Sequence, residues 1–386
     1  MLHKIQPFNF FVPTQILFGE GKLKELKNIL SSYGKKGLLV SRPSKGSLKE
    51  TYKRIYKMLE KAGISYIHFD EVIPNPTLEG VEEGVKLAAQ HQVDFVLGVG
   101  GGSVLDTAKL IAFLHKPSGQ IDWKEAVGLY DNPFAVSEPP IHSIPFIAVT
   151  TTSGSGSQCT QAAVVSDTSE QNKITLFHSG LFPSVSIVDP ELMCSVPASV
   201  TAATGFDAFT HAFESYLGGR TSPLTEQMSL QAIKLVLENL PKAIVDPGNI
   251  EIRSQLALAD TLAGMCLANG GADLPHPLGE IIGGICPRVA HGETLAMVYP
   301  AFLNYKEKVA TGKFKKVSEY LGFKSDSKIL TETLLELIDI TNLSKAFEKA
   351  EMTKEEINSI KSHPLLAQLQ PDNSDAIYLM MNNSLK

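Results

Sequence analysis

The residues most able to do chemistry are one aspartate and three histidines. Thr204-Gly-Phe-Asp-Ala-Phe-Thr-His211 sets Asp207 and His211 four positions apart, which puts both on one face of a helix. His276, in Leu-Pro-His-Pro-Leu-Gly, and His291, in Val-Ala-His-Gly-Glu, fall in breaks between helical patterns. One carboxylate oxygen and three imidazole nitrogens suit Zn²⁺ or Fe²⁺. A remaining open position would take a substrate oxygen and use the ion as a Lewis acid. Each residue also has a plainer reading. Asp207 can be the partner of a Thr204 cap, His211 a satisfied core histidine, and His276, restricted by Pro277, the mark of a turn.

A second set of residues suits a phosphate. Val96-Leu-Gly-Val-Gly-Gly-Gly-Ser103 joins a strand-like run to a helical one. Glycines 100, 101 and 102 let the backbone approach a ligand, and the free N–H groups of the next helix favour an anion. Ser103 either caps that helix or donates a hydrogen bond. Asp106 and Lys109 follow in its first turns; Asp106 is a candidate cofactor contact, and in isolation the two read equally as a helical i,i+3 ion pair of the surface kind. Thr150-Thr-Thr-Ser-Gly-Ser-Gly-Ser157 also follows an apolar run and offers Thr151, Thr152 and Ser155 as donors. It reads as a polar site or as a Gly/Ser connector, and its place after a buried strand favours the site.

These groups need a scaffold, and the pattern supplies one in two parts. Gly37–Val40, Ile64–Phe69, Val93–Leu97, Phe146–Val149 and Val185–Val188 read as buried strands, alternating with helical patterns over 48–62, 78–91 and 103–114. That rhythm predicts an α/β amino-terminal dinucleotide-binding domain with a mostly parallel sheet. Thr77 is placed to cap the second of these helices. Beyond Asp189-Pro190 helical patterns dominate, so an all-helical carboxy-terminal metal-binding domain is expected, with the division at 1–190 and 191–386.

The 386 residues, 43% hydrophobic and 20% charged, suit a two-domain globular protein. A net charge of −6 argues against nucleic acid or an anionic membrane surface as partner. Pro7 and Pro13 interrupt any signal-like run near the start, and the least charged stretch, 134–165, is broken by prolines and glycines. Cys159, Cys194, Cys266 and Cys286 are scattered, which fits free thiols in a cytoplasmic protein. A homodimer is left open.

Taken together, the motifs resemble the iron-containing, or group III, alcohol dehydrogenase family. The resemblance starts at Val12-Pro-Thr-Gln-Ile-Leu-Phe-Gly19 and passes through Pro74-Asn-Pro76, GGGSVLDTAK, TTSGSGS and Ile187-Val-Asp-Pro190. It then takes in GFDAFTHAFESY (205–216) and both later histidine segments. It implies hydride transfer between NAD(P)(H) and a small alcohol or aldehyde, with Asp207, His211, His276 and His291 binding Fe²⁺, or Zn²⁺ as the alternative. It also implies that Gly100, Gly101, Gly102 and Ser103 hold pyrophosphate, with Asn75, Thr151, Ser155 and Lys173 as further cofactor contacts. Two departures stand out. Gln158 occupies a place where the family usually has Glu, removing a carboxylate near the site. Glu280 stands where many members have a second histidine, and an alternative alignment leaves Ala272 in the third ligand position. Asn269, seven residues before His276, favours His276.

The strand end Leu39-Val-Ser-Arg-Pro-Ser-Lys45 carries no carboxylate to repel a 2′-phosphate. Ser41 and Arg42 suit that phosphate, so NADP(H) is favoured over NAD(H). The sequence names no general base; Glu280 and a relay through cofactor hydroxyls are the candidates. A lyase similar to dehydroquinate synthase is one rival, for which Arg253 and Arg288 are the basic candidates near the metal motifs. A nucleotide-binding protein without metal or dehydrogenase activity is the other.

Overall fold

The computed structural model describes residues 5–45, 48–128 and 132–369. Its strands, in chain order, are β1 (Gln15–Phe18), β2 (Lys36–Val40), β3 (Ser65–Phe69), β4 (Phe95–Gly100), β5 (Phe146–Thr150), β6 (Ala162–Asp167), β7 (Asn172–Phe177) and β8 (Val185–Val188). Six of them form one parallel sheet in the order β1-β8-β5-β4-β2-β3. Every residue of β4, β5 and β8 is buried, as expected for strands covered on both faces.

Helices supply the cover. On one face α1 (Leu26–Leu30) and α2 (Lys49–Lys61) bring Leu26, Leu30, Ile55 and Leu59 onto Leu39, Leu97 and Ile147. On the other, α3 (Leu78–His91) and α4 (Gly102–Phe113) bring Val81, Val85, Leu105 and Ile111 onto Leu38, Val96 and Ala148. A short α5 (Trp123–Gly128) lies beyond α4. Thr77 caps α3 as its sequence predicts, accepting from Gly80 N at 3.3 Å.

The order of strands places a crevice. From β2 the chain runs outward to β3, then returns across β2 to β4 and continues the other way to β5 and β8. The direction therefore reverses between β2 and β4, and open α/β sheets bind ligands outside the strand ends at such a switch point. Ser41 and Arg42 follow one of these strands and the glycines at 100–102 end and follow the other.

Two strand features differ from the sequence reading. β1 is a short edge strand, and β6 and β7 form an antiparallel hairpin outside the main sheet. β7, Asn-Lys-Ile-Thr-Leu-Phe, looks too polar for a strand. It is stabilised by β6 and by packing against the helical half of the molecule, partners with no local signature.

After Val188 every element of the described residues is helical. These are α6 (Ala198–Leu217), α7 (Pro223–Val245), α8 (Ile250–Gly270), α9 (Pro275–Ile285), α10 (His291–Val309), α11 (Thr311–Tyr320), α12 (Ser327–Ile340), α13 (Ala346–Ala350) and α14 (Lys354–Lys361), with short 3₁₀ turns between. From Gly205 to Leu217 every residue of α6 is buried. A helix apolar on most sides has to be a core helix, and α6 is enclosed by α7, α8 and α10.

His276 and His291 do not lie in breaks between helices. They are the second residue of α9 and the first of α10. Pro275 and Pro277 are tolerated beside His276 because first-turn positions have no intrahelical acceptor for an N–H.

Asp106 and Lys109 are not a surface ion pair either. Lys109 is 1% exposed and donates to Thr160 O (2.9 Å), Thr160 Oγ1 (3.1 Å) and Ala162 O (2.7 Å). Asp106 accepts from Ser157 Oγ (2.7 Å) and Val164 N (3.0 Å). The pair pins α4 to the chain that leads into β6. Lys109→Met removes the donor and leaves buried acceptors unpaired, for an expected loss of about 3 kcal/mol in urea unfolding. A loss below about 1 kcal/mol would contradict the pinning role.

Candidate active site

Asp207, His211 and Glu214 succeed one another at spacings of four and three along α6, so all three face one side. Asp207 Oδ1 is met by three imidazoles: His211 Nε2 at 3.6 Å, His276 Nε2 at 3.7 Å and His291 Nε2 at 3.7 Å. Ligand atoms of Asp207, His276 and His291 lie within 4.8 Å of one another, and the His211 ring stacks on His276 with centroids 4.6 Å apart. The third histidine is therefore His276, and Ala272 has no part in the cluster.

Each inner histidine is oriented by its other nitrogen. His211 Nδ1 lies 3.2 Å from Gly154 O, which fixes that nitrogen as the donor and leaves Nε2 a lone pair. His276 Nδ1 lies 2.8 Å from Glu214 Oε2, and Asp273 N donates to the same oxygen at 2.8 Å. Glu214 is wholly buried, and a carboxylate behind an imidazole is a recurrent way to aim a metal ligand. Glu214 was not among the residues singled out from sequence. Its signal was present, since it continues the helical face that Asp207 and His211 begin.

The electrostatics follow from enclosure. Burial pushes Asp207 up, but His211, His291 and His276 outweigh it and hold the carboxyl at about 2. Burial lowers His211 to about 4 and His291 to about 3, in both cases against the pull of Asp207. For His276 burial also acts downward, yet the charges of Glu214 and Asp207 raise it to about 10. Among the described residues, Asp207 Oδ1 and His276 Nε2 are buried without a hydrogen-bond partner. Buried polar atoms are rarely left so, and these two point into the middle of the cluster. An N₃O donor set around them fits a divalent Fe or Zn ion.

The glycine loop and the hydroxyl-rich loop lie side by side. Thr151 N donates to Gly100 O at 3.0 Å. A Cβ on Gly101 would come 2.8 Å from Thr152 Oγ1, and one on Gly102 would come 2.9 Å from Ser155. The glycines thus serve close loop-to-loop approach as well as backbone exposure. Gly101 is the N-cap of α4 without a side-chain cap, so Ser103 is not the cap. Gly102 and Ser103 lead the helix with N–H groups that have no intrahelical acceptor.

The remaining candidates are spread along the same crevice. Ser41 is fully buried, its hydroxyl donating to Arg42 O (2.8 Å) and lying 2.7 Å from His68 Nε2. Arg42 is exposed and makes no ion pair among the described residues. Asn75 adopts φ 54° and donates to Pro287 O at 2.8 Å, bridging the two halves. Lys173, on β7, is held below its ordinary pKa by burial, against the charges of Glu280, Asp207 and Asp106. Glu280 Oε1 accepts from Thr175 Oγ1 at 2.9 Å. Lys173 and Glu280 together line a cavity of about 90 Å³.

Gln158, where the family usually has Glu, is paired with a buried carboxylate. Its Nε2 donates at 2.7 Å to Oδ2 of Asp260, a residue of α8 that no motif marked. The lyase rival fares less well. Arg253 is spent on Pro247 O, Thr201 Oγ1 and Val196 O, and Arg288 on Glu356 and Ala350 O.

A doubly wound sheet with a switch point, backed by a helical half carrying one carboxylate and three convergent imidazoles, is a framework suited to a dinucleotide and a metal. Comparison with known proteins gives the family. Residues 13–190 match the family model described as iron-containing alcohol dehydrogenase. Residues 201–378 match the C-terminal model of the same family. The chain is 33% identical over 314 residues to the NAD-dependent methanol dehydrogenase of Bacillus methanolicus, covering 81% of this chain and 80% of that one. To the NADPH-dependent butanol dehydrogenase of Clostridium saccharobutylicum it is 31% identical over 337 residues, covering 86% and 83%. The crystal structure of an iron-containing alcohol dehydrogenase from Thermotoga maritima superposes with a TM-score of 0.83 at 29% identity, covering 98% and 99%. The chain belongs to the iron-containing alcohol dehydrogenase family, and its activity is that of an oxidoreductase acting between alcohols and aldehydes.

The charges of the cluster lead to a measurable proton count. In the metal-free protein at pH 7 to 8, His276 is a cation while His211 and His291 are neutral. A metal needs neutral imidazole, so binding must expel the His276 proton. Calorimetry in buffers of differing ionisation enthalpy should give about one proton released per Zn²⁺. Zero release would contradict the charge assignment.

Proposed function

We propose that this enzyme interconverts a small alcohol and its aldehyde with NADP(H) in preference to NAD(H), using a divalent metal, Fe²⁺ first and Zn²⁺ as the alternative, held by Asp207, His211, His276 and His291. The observation that carries this reading is Asp207 Oδ1, buried, without a hydrogen-bond donor, and faced by three imidazole nitrogens at 3.6–3.7 Å. The working division is 1–190 for the dinucleotide and 191–386 for metal and substrate. Four free cysteines are compatible with a cytoplasmic setting, and no helix of the described residues is long and apolar enough to cross a membrane.

A metal held there would supply Lewis acidity toward an alcohol or carbonyl oxygen, and a nicotinamide dinucleotide in the crevice would supply the hydride acceptor or donor. The chain does the rest. Gly154 O and Glu214 aim two imidazoles inward. The start of α4, with Gly100, Gly101, Gly102 and Ser103, offers N–H groups to pyrophosphate. Asp106 shapes this site from behind, through Ser157 and Val164. Thr151, Thr152 and Ser155 hold the adjoining loop against the glycines, and Asn75 and Lys173 face the crevice from the far side. Glu280 spends one carboxylate oxygen on Thr175 and is raised above its ordinary pKa by burial; it stands ready to take the alcohol proton, with cofactor hydroxyls as the other route. NADP(H) is supported by Arg42, exposed beside the switch point, with Ser41 fixing the backbone beneath it.

Two experiments test this. His276→Ala should fold and lose both metal and alcohol oxidation, because the site sits on preformed helices; full metal content in that variant, by elemental analysis, would remove His276 from the ligand set. For the cofactor, kcat/KM with NADP(H) should exceed that with NAD(H), and Arg42→Ala should lower the NADP(H) value about tenfold while sparing NAD(H). An NAD(H) preference in the wild type, or equal loss with both, would refute the phosphate role of Arg42.

A further inference from the structure

Residues 151–158 form a tight turn wedged between the glycine loop and the helical half. On one flank Gly154 lies so close to α6 that a Cβ there would come 2.6 Å from Thr204 Cβ, and Gly154 O reaches His211 Nδ1. On the other flank Thr152 and Ser155 press on Gly101 and Gly102, and Ser157 bonds Asp106. The base of the turn is held by one group from α8. Asp260, fully buried, accepts from Gly156 N at 2.9 Å through Oδ1 and from Gln158 Nε2 at 2.7 Å through Oδ2. Gly156 itself has φ 62° and packs on Gly264 of α8. Two donors arrive from different directions, and only a carboxylate presents two acceptor oxygens to them.

We propose that Asp260 and Gln158 are a positioning pair: they set the seat of this turn, and so hold His211 and the glycine loop in register with each other, coupling metal affinity to dinucleotide affinity. The proposal rests on reading the Asp207 cluster as the metal site and Gly100–Ser103 as the dinucleotide site. Displacing the turn moves Gly154 O away from His211 and Thr152 and Ser155 away from the glycines in one motion, because one short turn carries all three contacts. Close loop packing leaves no slack to absorb the shift.

The test uses the full-length chain, with Zn²⁺ competed against a chromophoric chelator and NADH and NADPH followed by fluorescence. Asp260→Leu removes both acceptors, which Gln158 cannot replace by turning its amide over, and should weaken Zn²⁺ and dinucleotide binding together by at least about tenfold. A purely structural role would lower Tm and leave both affinities of the folded protein intact. The reversed pair, Gln158→Glu with Asp260→Asn, restores one acceptor for each donor and should return both affinities to within about threefold of wild type. Native affinities in Asp260→Leu, loss of one ligand only, or a reversed pair that stays weak or unfolded would each overturn the proposal. If Asp260→Leu does not fold, the reversed pair decides alone. A wild-type chain that binds neither probe refutes the site assignment, which is a separate failure.

Discussion

A carboxylate oxygen buried without a donor cannot be left alone, and Asp207 Oδ1 is such an atom. Its charge is offset by three imidazoles from three helices, one of them cationic in the absence of metal. Much of the helical half follows from that requirement. α6 runs through the centre of its core because it must carry Asp207, His211 and Glu214 inward. α9 and α10 must begin beside it, and their N-termini add partial positive charge near the carboxylate. The positive ends and the imidazoles serve the same anion.

The sheet half is governed by a different constraint, close approach of backbones. Gly101 and Gly102 are needed because Thr152 and Ser155 occupy the space where a Cβ would lie. That contact leaves the first N–H groups of α4 facing the crevice between β2 and β4. Lys109 and Asp106, behind the helix, tie it to the chain entering β6. That end of the helix is therefore held in place by the chain itself.

Among the polar contacts between the two halves, three groups tie loops of the sheet half to the elements around the Asp207 cluster. Asn75 reaches Pro287 O just ahead of His291, Gly154 O reaches His211, and Asp260 reaches Gly156 and Gln158. Hydride transfer needs donor and acceptor carbons in near contact, so registration of the halves matters as much as either site alone.

Local sequence was enough for the elements whose period or punctuation is their own. The five strand runs, the capped helix at Thr77, the glycine turn and the i,i+4 pair of Asp207 and His211 are of this kind, since each pattern is complete within a dozen residues. Tertiary structure decided whatever depends on a partner distant in the chain. β7 is too polar to declare itself without β6, and His276 looked like a turn residue because Pro275 and Pro277 read as breakers, when they open α9. Glu214 became legible as the support of His276 only once α9 lay across α6. Asp260, more than a hundred residues from the turn it holds, carries no local mark, because a buried carboxylate is identified by the donors that surround it, and those come together only in the fold.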